Sequence, residues 1–187
     1  MLKLVICEFS KLKRKKFIWL VVFSAFLFPI PLTALMTMPQ TAGQYDSKIS
    51  IFNDYFQSVM GYGVELLLPC MIGVIAAMLF FMERDNDTFK NLRTIPITST
   101  QMILAKIIVL FLFGIIFSLT SALITILCGG VIAEVNSIAY RLFFALEMGI
   151  FITAGTLPLV VLVVFFSKNY VFSVLLCVFY SVLSMTA

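Results

Sequence analysis

Two sets of residues in this chain have the types and spacing to do more than pack. The first is the run Glu83 to Lys106, ERDNDTFKNLRTIPITSTQMILAK, a long polar stretch with lipid-length apolar runs on both sides. Within it Glu83, Asp85 and Asp87 come first, Lys90 and Arg93 later, and Pro96 last. That order suits a short helix. Asp85 or Asp87 can cap its start, where the dipole favours acids; the bases complement its last turn, and proline, lacking an N–H, ends it. Phe89, Leu92 and Ile95 recur every three residues and give an otherwise wet helix one apolar edge. A helix of this kind can grip a soluble partner and pull on two spans together; a solvated loop with a single helical turn stays open beside it. The second set is Glu65, Arg141 and Glu147, which interrupt apolar runs. A charge at bilayer depth costs ~2.5–3.5 kcal/mol on insertion scales, so such residues face protein or water. They read as a polar spot lining a substrate path, or as a Glu–Arg pairing across spans, with headgroup-level solvation also open to Glu65 and Arg141, which can snorkel.

Much chemistry is excluded. The sequence has no histidine, which removes zinc hydrolases built on H-E-x-x-H and Ser–His hydrolases. Nothing matches G-x-x-x-x-G-K-[ST], so the chain cannot cradle ATP phosphates; if ATP drives it, the nucleotide and its Mg belong to a separate subunit. Cys7, Cys70, Cys128 and Cys177 lack metal spacing and imply no disulfide framework. No catalytic, cofactor-binding or metal-ligating residue is expected on this chain. The net charge of +4 does not point to nucleic acid, because the bases sit at membrane edges, where anionic lipid accounts for them.

The elements that must position these residues follow from a chain that is 62% hydrophobic and 12% charged. Its mean hydropathy is +1.12. We expect an all-α polytopic membrane protein, one domain over residues 1–187, with five transmembrane helices. Residues 1–16 form a basic amphipathic helix: Leu2, Val5, Ile6, Phe9 and Leu12 share a ~120° arc while Lys3, Lys11 and Arg14 face away, so it lies in the interface, apolar face down. The apolar stretch after it is too long for a signal peptide and lacks a small-residue cleavage site, so it reads as an anchor that stays. Span one is 17–38, ~33 Å long and kinked by Pro29 and Pro31. Residues 39–63 form a polar loop with a short interfacial helix around Tyr55 and Phe56. Spans two to five are 64–82, 107–130, 139–166 and 170–187, with Lys106 snorkelling at the inner end of span three. Small residues (Gly73, Ala76 and Ala77; Gly114 and Ser118; Gly149, Thr153 and Ala154) permit close crossing of the spans. Of 13 bases only Lys48 and Arg141 fall on the outer side if the N-terminus is cytoplasmic, so the central polar run is cytoplasmic too.

The order of a basic amphipathic helix with E-F-x-K-L-K-R (Glu8 to Arg14), a first span, a large outer loop, a second span, E-R-D-N-D-T-F-K-N-L-R-T-I-P-I-T (Glu83 to Thr98) and K-I-I (Lys106 to Ile108) resembles the permease subunit of type-2 ABC exporters. It is most similar to the lantibiotic-immunity and bacitracin-resistance branch of Gram-positive bacteria. The resemblance covers most of the chain, and its sharpest element is Glu83, Asn86, Thr88, Lys90, Asn91, Leu92, Pro96 and Ile97. It implies that residues 83–96 are the coupling helix, with Glu83, Arg84, Asp85, Asp87, Thr88, Phe89, Lys90, Asn91, Leu92 and Arg93 at the interface with an ABC ATPase subunit. It implies a connecting helix at residues 1–14, a second permease subunit, identical or related, and a bacterial cytoplasmic membrane. The exported substrate would be a hydrophobic peptide antibiotic or a lipid-linked ligand, giving resistance or self-immunity. The family's usual sixth span is missing, so either the chain is truncated or a partner permease completes the site. Two further classes stand beside this: a stand-alone membrane immunity or stress protein, and an ion-coupled secondary transporter, for which paired midplane acids and inverted repeats are not clean.

Overall fold

A computed structural model describes residues 2–14, 17–38, 45, 47–85, 99–166 and 170–186, and every regular element among them is helical. In chain order these are α1 (Leu2–Arg14), α2 (Phe17–Ala25), α3 (Pro29–Met36), α4 (Lys48–Ser58), a π-helical turn (Val59–Val64), α5 (Glu65–Asp85), α6 (Ser99–Ile132), α7 (Ile138–Phe166) and α8 (Tyr170–Thr186). Among the described residues, Lys48–Leu79, Thr100–Ile132 and Ile138–Val161 are long and apolar enough to cross a membrane. Val21–Met36 and Leu175–Ser184 are shorter apolar stretches, so helix length alone supports three of the five expected spans.

Helices α6 and α7 form an antiparallel pair whose contact is set by glycine on one side and a hydroxyl on the other. Gly114 receives the Thr153 side chain, and Gly149 receives Ser118; a Cβ on Gly149 would stand 2.8 Å from Ser118 Cβ. Ser118 Oγ donates to the Ala145 carbonyl at 2.5 Å, so the polar atom that close approach buries is satisfied. Helix α5 packs on α6, α7 and α8. Gly73 of α5 accommodates Cys177 of α8, and Ser181 Oγ donates to the Leu66 carbonyl at 2.7 Å. These contacts use the small residues at which close crossing was expected.

Span one is interrupted just ahead of Pro29 and Pro31, where a kink was expected. It breaks at residues 26–28, between α2 and α3. Phe26 and Leu27 donate to the carbonyls of Phe23 and Ser24, one residue short of α-helical spacing. Pro29 and Pro31 then fall in the first turn of α3, where a missing N–H is tolerated. The Pro29 carbonyl accepts from Thr33 Oγ1 at 2.6 Å and from Tyr55 Oη at 3.0 Å, which fastens the break to α4.

From Ser47 on, the expected polar loop is also corrected. Ser47 caps α4 by accepting the Ser50 N–H at 3.2 Å, and the chain is helical without interruption from Lys48 to Asp85. Phe52, Tyr55, Phe56, Val59, Met60 and Val64 recur at spacing three and four and are buried, so this segment carries a core face. Gly63 lies in the π-helical turn, where a Cβ would stand 2.9 Å from Phe28 Cβ. Helix α6 likewise begins at Ser99, ahead of the expected 107, while α7 nearly matches the expected 139–166.

Candidate functional site

At the end of the bundle that carries α1, a basic side chain is held inside the protein. Lys106 is 1% exposed; its Nζ lies 3.1 Å from Glu8 Oε2 and donates to the Leu79 carbonyl at 3.0 Å. The other Glu8 oxygen takes Lys11 Nζ at 2.6 Å. One ammonium therefore ties α1, α5 and α6 together. An acid buried in a basic helix is stable there because both of its oxygens meet cations. Beside the pair, Phe9 stacks on Phe113 with centroids 5.5 Å apart. The expectation that Lys106 snorkels to headgroups is overturned. The apolar face of α1 is largely the expected one, with Leu12 buried and Val5 and Phe9 packed on the core; Ile6, 55% exposed, departs from it, and Glu8 is buried beside it.

This junction brackets the polar run. Glu83, Arg84 and Asp85 are the last residues of α5, and α6 resumes at Ser99. Asp87, Thr88, Phe89, Lys90, Asn91, Leu92 and Arg93 lie outside the described residues.

Toward the other end, Glu65 and Arg141 line separate cavities that share Gln57. The first, about 530 Å³, is walled by Tyr45, Asp54, Ser58, Gly61 and Tyr62 with Glu65. Burial, then the charge of Asp54 and a hydrogen bond to it, raise the Tyr45 phenol above its ordinary range. The second, about 410 Å³, is lined by Asn53, Phe56, Asn136, Ser137, Tyr140, Arg141 and Phe144.

Arg141, in the first turn of α7, is 8% exposed. Its Nε donates to the Asn136 carbonyl at 3.0 Å, and its Nη2 donates to the side-chain oxygens of Asn136 (2.6 Å) and Asn53. The guanidinium also lies 4.3 Å from the Phe52 ring centroid and 4.8 Å from that of Phe56. Contacts of that kind contribute about 0.5–2 kcal/mol each. No carboxylate pairs with it among the described residues. Glu147 joins neither cavity; it is exposed on the outward face of α7, along with Phe143 and Phe151. The three intramembrane charges therefore do not form one polar spot, and no Glu–Arg pair links them.

Sequence reasoning missed the roles of Glu8, Asn53 and Asn136. Glu8 carried a usable signal, because it shares a helical stripe with Val5 and Leu12 and sits three residues from Lys11. Asn53 and Asn136 carried none, since only the fold brings them together.

No curated protein and no solved structure matches the chain. The family described as ABC-2 family transporter protein matches it over residues 4–184, which takes in nearly all of α1, the Glu8–Lys106 junction, both cavities and nearly all of α8. The chain belongs to the ABC-2 transporter family and is the permease component of an ABC transporter.

Proposed function

We propose that this permease works in an exporter, seated through residues 83–96 on an ABC ATPase subunit that supplies all ATP and Mg chemistry. The observation that carries the proposal is the triple attachment of Lys106. The helices on either side of the polar run are bonded to each other through the Leu79 carbonyl, and to α1 through Glu8. A pull on the run therefore loads α1, α5 and α6 together. The chain itself does no catalysis.

The basic N-terminal helix lies on the cytoplasmic side of a bacterial plasma membrane, and the cavities of Glu65 and Arg141 open toward the outer side. A second permease subunit, identical or related, completes the pathway against this one. In support, Glu147 faces outward from a membrane-length helix without a partner among the described residues, and an acid at that depth calls for a polar neighbour. The substrate is a hydrophobic peptide antibiotic of lantibiotic or bacitracin type, or a lipid-linked ligand, and its removal gives resistance or self-immunity.

Phe89 and Leu92 form the apolar plug into the ATPase. Replacing both with Asp should abolish co-purification of the ATPase while the permease stays in the membrane, and unchanged co-purification would sink the proposal. Resistance that survives deletion of the ATPase would select a stand-alone immunity protein instead.

A further inference from the structure

We propose that the cavity at Arg141 binds a phosphate group. Arg141 is more than nine-tenths buried, its charge meets no carboxylate among the described residues, and its Nη1 edge has no acceptor there. The Asn136 carbonyl that holds Nε and the two asparagine side chains that hold Nη2 are neutral; they aim the guanidinium without cancelling its charge. A buried cation left this way is costly unless an anion arrives, and the planar fork suits two oxygens of a phosphate.

The surrounding groups fit the same ligand. Ser137, Tyr140 and Gln57 line the cavity and can donate to further oxygens. Ser137 also immediately precedes α7, a helix of 29 residues whose first N–H groups have no partner within the helix. Asp54 and Glu65 line the adjoining cavity rather than this one. Phe56 and Phe144 supply an apolar wall, which suits a phosphate ester carrying an apolar substituent. Arg141 stands at the end of a membrane-length helix, the level of lipid headgroups in either orientation. The phosphate can therefore come from a lipid headgroup or from solution. The inference does not depend on the transport proposal, which the ATPase co-purification tests alone.

The test uses the full-length permease with its ATPase. Native mass spectrometry measures retention of phosphatidylglycerol against a diacyl glycolipid that lacks phosphate. Phosphorus NMR follows line broadening as inorganic phosphate is titrated in. The wild type should retain the phospholipid over the glycolipid, broaden the inorganic phosphate signal, or both. Phospholipid retention alone identifies a headgroup site, and broadening identifies a site open to the free anion. Arg141→Lys should bind about tenfold more weakly, and Gln57→Leu and Tyr140→Phe, which leave the guanidinium in place, several-fold more weakly. The proposal is overturned if the wild type shows neither preference nor broadening. It is equally overturned if all three variants bind as the wild type does, which would make Arg141 only a pin between α4 and α7.

Discussion

Glu8 and Lys106 stand 98 residues apart in sequence and meet at 3.1 Å, with their side chains 5% and 1% exposed. The pair closes the bundle at the end where the polar run leaves and returns. Its two members are not equivalent, because Glu8 also holds Lys11 at 2.6 Å. Replacing Glu8 with Gln takes the carboxylate charge away from a buried ammonium and should cost up to about 3–5 kcal/mol. Lys106→Met should cost less, since Lys11 still pairs with Glu8. The double variant Glu8→Met with Lys106→Met should recover much of the loss. Unfolding midpoints in detergent check this ranking.

The same pair has a functional readout. A permease carrying Lys106→Met should still co-purify with its ATPase and should show reduced transport per ATP hydrolysed. Transport equal to the wild type would remove the triple attachment from the proposed mechanism.

Two glycines in the same protein should respond oppositely to alanine. Gly149→Ala puts a methyl 2.8 Å from Ser118 Cβ, and overpacking of this kind costs about 1–3 kcal/mol. Gly61→Ala meets nothing within 4 Å and should be neutral or slightly stabilising. Thermal melting of the two purified variants checks the contrast.

Tyr55→Phe removes the hydroxyl that donates to the Pro29 carbonyl and lies 2.9 Å from Thr33 Oγ1. Thr33 still serves that carbonyl, so the expected cost is about 1 kcal/mol rather than that of an orphaned acceptor. The same melting measurement reports it.

The helical course of residues 48–64 can be read by thiol labelling of single-cysteine variants. Protection should peak near 52, 55–56, 59–60 and 63–64, with labelling between. Uniform labelling would restore the loop that hydropathy alone suggests.

That segment also shows where the sequence was legible. Its apolar residues already repeat at helical spacing, but Asn53, Asp54, Gln57 and Ser58 lower the window average and two glycines mimic a turn. Averaged hydropathy hides which face is apolar. For α7, apolar on nearly every side, the average was enough, and the expected bounds lie within a residue of the observed ones. Glycine and hydroxyl positions at the crossings could be read for the same reason, since a membrane helix has few other ways to approach its neighbour. Lys106 could not be read this way. Snorkelling and burial give a lysine the same place in sequence, and only a partner 98 residues away separates them. The Asn53–Arg141–Asn136 cluster depends on the fold in the same way.

The helical course from Lys48 to Asp85 is ~57 Å long at 1.5 Å per residue, with a π-helical turn at Val59–Val64 and Pro69 within it. One arm holds Gln57, common to both cavities, and the other offers Leu79 to Lys106. Between them the bare backbone of Gly63 lies against Phe28, a natural fulcrum. A tilt imposed at the Leu79 end is therefore expected to reach Gln57 through that joint and to alter both chambers together.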